Sequence, residues 1–332
     1  MKQSARILTY VSVLHSLVDF LCAFAVFSRY ALTGPAALVY LYYNFAAFAL
    51  QMPLGILADV ISQKTGRRCL SGKIVLLAGV LFTAVGLQTS VWALGLGNAL
   101  FHVGGGLLSI AADDQAGLSG RGLGIFVAPG AVGLYLGTRL GRGGLSAYTL
   151  PAVILMGILS AAVMLEKTTE SAPVTRAPGQ PGRIALLCFL IVVLRSWTGM
   201  NLSFQWNTGF MTGLVVSAAV ALGKAAGGFP AARYGLTRSA CATLLAATVL
   251  MPVPYMPAGL LVLFLFNMTM PMTLYRLYRA YPEQPGFAFG LLTFALFAGF
   301  VPWLAGLAVP AVTAGISGCA VSAALFVLME KS

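Results

Sequence analysis

Apolar runs of about twenty residues recur along almost the whole chain, each closed by a short turn of glycine, proline or basic residues. A helix needs about 20 apolar residues to cross a bilayer, and hydrocarbon requires each segment to satisfy its own backbone polar groups. The chain has 332 residues, 59% hydrophobic and 8% charged. A soluble domain carries about 25% charged residues. The sequence therefore describes an all-α integral membrane protein.

Turn and charge punctuation predicts about twelve spans, at 6–29, 34–58, 73–90, 91–112, 118–139, 146–165, 184–206, 209–231, 238–254, 257–279, 285–305 and 308–329. With the N-terminus inside, the inner segments carry fifteen basic residues, and the outer ones only Arg29, Arg139 and Arg142. Positive-inside bias then predicts both termini cytoplasmic in a plasma membrane, as in a bacterial inner membrane. The net charge of +12 is scattered between apolar runs, so it reads as anchoring charge and not as a nucleic-acid surface. The first run is too long for a signal core, and His15 and Asp19 interrupt it, so it is expected to stay in the protein. The polar stretch Glu166 to Arg183, with Pro173, Pro178 and Pro181, reads as a flexible cytoplasmic linker. It predicts a first six-helix bundle over 1–165 and a second over 184–332.

The five cysteines show no CxxC spacing, and there are only two histidines. Neither a disulfide framework nor a multi-histidine metal site is expected, and no metal or other cofactor is called for.

Polar residues at membrane depth are costly and usually face a protein interior or a wet path. His15 and Asp19 are four residues apart, on one helix face, with Ser12. Span two aligns Tyr40, Asn44 and Gln51; span four aligns Asn98, His102 and Asp113; span seven offers Arg195, and span eight Lys224. The candidate substrate and proton site is therefore His15, Asp19, Asn44, Gln51, His102, Arg195 and Lys224. Arg195 stays protonated and wants an anionic partner or a water-filled cavity. Tyr40, Tyr42, Tyr43, Trp197 and Trp206 are candidate apolar walls. Asp113 and Asp114 are expected to balance Arg121.

The two halves repeat. Gln51-Met-Pro-Leu-Gly55-Ile-Leu-Ala-Asp59 precedes a basic turn, as does Lys224-Ala-Ala-Gly-Gly228-Phe-Pro-Ala-Ala232-Arg233, and Gly55 and Gly228 stand 173 positions apart. His15-Ser16 and Arg195-Ser196 stand 180 apart. Twelve spans, the 6+6 division and this loop resemble the major facilitator superfamily, whose loop signature is Gly-x-Leu-x-Asp-Arg-x-Gly-Arg-Arg/Lys. Gly55, Leu57, Asp59, Gly66, Arg67 and Arg68 match it, with four extra residues before Gly66 that one helical turn would absorb. In the second copy Ala232 replaces the acid. Ala128-Pro129-Gly130 looks like the antiporter glycine-proline motif, and spans one and four look like the fosmidomycin-resistance-like branch.

The resemblance implies two pseudo-symmetric six-helix bundles that rock around a central site, in a protein expected to be monomeric. It implies a conformational latch of Gly55, Asp59, Arg67, Arg68, Gly228 and Arg233, with Asp59 bound to a helix N-terminus and paired with Arg67 or Arg68. Asp19 and His15 would face Arg195 across the site. The expected function is export of a small, anionic organic molecule, driven by a proton gradient. The sequence lacks Gly-x-Ser-x-Gly and His-Glu-x-x-His, which argues against an intramembrane enzyme. A non-transporting sensor or scaffold would not require midplane charge in both halves.

Overall fold

The computed structural model describes residues 2–170 and 174–331 and, among these, consists of helices without strands. Eleven helices are long and apolar enough to span a bilayer, which makes this a multi-pass membrane protein. In chain order they are α1 Gln3–Thr33, α2 Ala36–Thr65, α3 Arg68–Gly86, α4 Val91–Ala116, α5 Arg121–Arg142, α6 Ser146–Leu165, α7 Pro181–Asn201, α8 Phe210–Tyr234, then α10 Met256–Ala280, α11 Pro285–Leu304 and α12 Ala311–Glu330. The shorter apolar helix Leu236–Leu250, α9, makes the twelfth. Large side chains such as Leu81, Leu150, Leu186 and Val249 stay exposed around the outside, as lipid-facing positions should.

Helix neighbours obey a repeat of six. The α1–α5 pair matches α7–α11, the α3–α4 pair matches α9–α10, and the seam α2–α11 matches α8–α5. Two bundles therefore meet along two seams. Without a hydrophobic drive between helices in lipid, close packing depends on small residues. Along α5, Gly133 and Gly137 lie against the carbonyls of Ser16 and Phe20, so α1 and α5 touch backbone to backbone. In the second half, Gly299 of α11 lies on the Val193 carbonyl of α7 in the same way. At the α2–α11 seam Gly55 and Gly286 face each other.

The four extra residues before Gly66 lie inside α2, which runs to Thr65; Gly66 then ends it in the left-handed region at φ 64°. The stretch expected to be a free linker is tied down in its described part. Arg6 pairs with Glu166 at 3.2 Å, Glu170 accepts from the Cys69 amide at 3.0 Å, and Ala177 donates to the Arg279 carbonyl at 2.7 Å.

Candidate functional site

Three helices of the first bundle build one cluster. His15 and Asp19, a turn apart on α1, approach to 3.2 Å between Nε2 and Oδ2. From α4, His102 brings its Nε2 to 2.9 Å from the His15 Nε2 and 3.7 Å from Asp19 Oδ1. Asn98, one turn earlier on α4, donates to Asp19 Oδ1 at 3.2 Å. α5 leaves room because it presents Gly130, where an added Cβ would meet Asp19 Oδ2 at 2.5 Å. The rings of Phe101 and Phe126 pack around His15, with centroids 6.2 and 4.9 Å away.

The proton positions follow from the partners. The Nδ1 of His15 lies 2.8 Å from the Phe126 carbonyl, and the Nδ1 of His102 lies 2.8 Å from the Asn98 carbonyl. A carbonyl only accepts, so each Nδ1 is the donor and each neutral ring has its lone pair at Nε2. Two imidazole lone pairs and a carboxylate thus converge, and Asp19 is the most exposed of the three, its side chain 18% open. Both histidines were expected in one site; the fold joins α1 to α4 and brings their rings into direct contact.

The second bundle holds the fixed cations. Arg195 on α7 donates to Asn267 Oδ1 at 2.7 Å, to Thr269 Oγ1 at 2.9 Å and to the Phe266 carbonyl at 3.2 Å. All three acceptors belong to α10 of its own bundle. Among the described residues it forms no ion pair, so it does not bond Asp19, which it was expected to face across the site. Arg195 and Lys224 line one cavity of about 390 Å³, which runs past Asn267 to Ser203 and Asn207 at the end opposite the termini. Every lining residue comes from the second half of the chain, and none is acidic. Lys224 lies within electrostatic reach of both Arg195 and Asp19.

Other expected residues stand elsewhere. Asn44 donates to the Tyr40 carbonyl at 2.8 Å, and Gln51 to the Ala47 carbonyl at 2.6 Å, each on its own helix. Gln51 is fully buried beside Gly290 in the α2–α11 seam, so neither residue joins the cluster or the cavity. The proposed aromatic walls are also absent from the cavity lining. Tyr42 stacks on Trp92, and Trp206 on Phe204.

At the end carrying the termini the bundles are bonded together. Asp59 accepts from the amides of Gly286 at 2.9 Å and Phe287 at 2.7 Å, in the first turn of α11. It makes no ion pair with Arg67 or Arg68 among the described residues. Arg68 donates instead to the Pro282 carbonyl at 3.1 Å, and Arg67 caps the start of α3 through its backbone. Gly228 lies against the Arg121 backbone in the α5–α8 seam. Arg233 is exposed, with its guanidinium 5.2 Å from the Tyr234 ring centroid. Asp113 lies within electrostatic reach of Arg121, but neither Asp113 nor Asp114 makes an ion pair with it among the described residues. Asp113 accepts from the Gly120 and Gly122 amides at 2.8 and 2.7 Å, and Asp114 accepts from the Tyr278 hydroxyl of the other bundle at 2.5 Å. The amides at that helix start hold the Asp113 carboxylate directly, and Arg121 donates to the Leu118 and Gly117 carbonyls.

Sequence reasoning passed over Asn267, Thr269 and Tyr278. Asn267 and Thr269 did carry a signal, as polar residues within the apolar run of α10; Tyr278 carried none.

The fold is that of the major facilitator transporters. Among solved structures, the E. coli fucose:proton symporter matches with a TM-score of 0.64 at 13% identity, over 99% of this chain and 96% of that one. A human organic anion transporter matches with 0.67 at 16%, over 98% of each chain. A bacterial homologue of the iron transporter ferroportin, in an outward-facing state, matches with 0.63 at 12%, over 100% of each. Each is described as a transporter or its homologue, none as an enzyme; identities this low carry the fold alone. No family model matches the chain, and no curated protein sequence does.

Proposed function

We propose that this chain is a secondary transporter that moves a small organic anion across a membrane by alternating access. One observation carries the reading: Arg195 and Lys224 line the same cavity, and no acid lines it with them. Two desolvated cations without a counter-ion are costly, and a bound carboxylate, phosphate or phosphonate offsets that cost. A guanidinium has five donors, more than the three bonds Arg195 makes to α10, and the remainder can meet such an oxyanion. The cavity's polar neighbours Ser203 and Asn207 can orient the ligand, and Phe266 and Leu296 cover its apolar part.

The proposed energy source is a proton gradient, a reading supported by the shared fold with a fucose:proton symporter. The proposed direction is export, supported by the helix break at Ala128-Pro129-Gly130 that resembles the antiporter motif. In this reading residues 1–165 and 184–332 are the two moving bodies and 166–183 the tether. The protein works as a monomer in the plasma membrane with both termini cytoplasmic, as the basic-residue bias suggests.

The test is flux of anionic and cationic organic solutes in proteoliposomes, with and without an imposed pH gradient. Anion flux that the gradient accelerates, and that Arg195→Ala abolishes while Arg195→Lys restores only in part, is the expected result. Cation flux that survives Arg195→Ala would overturn the substrate class, and flux indifferent to the gradient would remove the proton.

A further inference from the structure

We infer that His15, Asp19 and His102 form a binding site for one divalent transition-metal ion of borderline softness, such as Zn2+ or Co2+. The three side chains offer one ligand atom each, all within 4.8 Å of one another. The two Nε2 atoms are 2.9 Å apart, and Asp19 turns Oδ2 to His15 at 3.2 Å and Oδ1 to His102 at 3.7 Å. Zinc takes imidazole nitrogen and carboxylate oxygen at about 2.0–2.2 Å, and the edges of a tetrahedron with such bonds are about 3.3–3.6 Å. The observed separations bracket that edge. Three protein ligands with a fourth direction free is also the count of an exchangeable zinc site and not of a closed structural one.

The hydrogen bonds around the trio argue further. A ligating histidine usually donates its other ring N–H to a carbonyl or carboxylate, which fixes the tautomer and aims the lone pair. Both rings do so here, through Phe126 and Asn98. The carboxylate is held in turn by the Asn98 amide. With both Nδ1 protons committed, two neutral rings and a carboxylate turn lone pairs toward one another, and a cation among them, a proton or a metal ion, relieves their repulsion. Two nitrogens and one oxygen suit Zn2+, Co2+, Ni2+ or Fe2+. Mg2+ and Ca2+ demand more oxygens than the trio supplies. The rings of Phe101 and Phe126 keep the surroundings dry, which strengthens ion–ligand attraction.

The site is separate from the cavity lined by Arg195 and Lys224 and does not depend on which anion that cavity takes. Lys224 opposes it electrostatically, so Lys224→Gln should tighten metal binding. The experiment uses the full-length chain, purified in detergent without a histidine tag, stripped with chelator and titrated with Co2+. One equivalent should produce the intense visible absorption of four-coordinate Co2+; Zn2+ should displace it and Mg2+ should not. His15→Gln, His102→Gln and Asp19→Asn should each weaken binding by at least about 100-fold, and Asn98→Ala by about 10–100-fold through the carboxylate it orients. Thermal unfolding separates these losses from misfolding, and Asn98→Ala keeps all three ligands should a ligand variant fail to fold. Absence of a stoichiometric Co2+ spectrum in the wild type would overturn the inference, as would binding that survives all four substitutions. Anion flux without Co2+ binding defeats the metal site alone; Co2+ binding without anion flux defeats the transport reading alone.

Discussion

Asp59→Ala should loosen the end of the molecule that carries the termini, by an amount the two hydrogen bonds set. The carboxylate accepts from Gly286 and Phe287 at 2.9 and 2.7 Å and is itself 3% exposed. Hydrogen bonds to a charged group contribute about 1.5–3 kcal/mol each, and the freed amides recover part of this from water. A net loss of about 3 kcal/mol is a shift of about 100-fold in the ratio of open to closed forms, at 1.4 kcal/mol per tenfold. A cysteine at Ser62, one turn along α2 and 7% exposed, reports the opening through its rate of alkylation. Where opening and closing outpace alkylation, that rate tracks the open population. Asp59→Ala should therefore raise it about 100-fold at 1.4 kcal/mol per decade, and Asp59→Asn, which keeps one acceptor oxygen, by roughly the square root of that factor. A rate within two- or three-fold of the parent would refute the view that these bonds hold the bundles shut.

Tyr278→Phe removes the single bond to the Asp114 carboxylate, and at about 1.5 kcal/mol, the low end for a charged acceptor, it should raise the same alkylation rate about ten-fold. Gly137→Leu forces a side chain into the Phe20 carbonyl of α1; overpacking costs about 1–3 kcal/mol or more, and a lower thermal midpoint in detergent should report it. Arg195→Ala leaves Asn267 Oδ1 short of a donor, while the Phe266 carbonyl keeps the Thr269 hydroxyl, so it should lower that midpoint as well as abolish anion binding, at about 1–3 kcal/mol for the stranded amide oxygen. Gln51→Leu replaces a side chain whose amide bonds only its own helix; anion flux should be unchanged, and its loss would place Gln51 in the transport path.

Hydropathy located the helices because lipid imposes a length and a composition on each span. α9 was the shortest of them, and the expected span 238–254 overran its end at Leu250 because hydropathy cannot see Pro252 and Pro254 stop a helix. The pairing of His15 with Asp19 was readable because one turn of α1 fixes it. His102 was assigned to the same site, but its direct contact with His15 was not readable, since no spacing within one helix sets the distance between α1 and α4. Arg195 was readable as a buried cation in need of partners. Its actual partners were not, because Asn267 and Thr269 are neutral and a charge-based search looks for acids. Asp59 was placed at a helix start by its motif, yet its supposed arginine partners turned to carbonyls, a choice set by loop geometry at Pro282.

Glycine contacts fasten α5 to α1 at Ser16 and Phe20, on either side of Asp19, and Asn98 ties α4 to the same turn. The trio therefore has no joint within it and would travel as one solid piece in the proposed rocking of its half. The other half touches that piece through Phe126, whose carbonyl meets His15 and whose ring packs on Phe289 of α11, and feels its charge at Lys224, so two channels, one of contact and one of field, lead out of it.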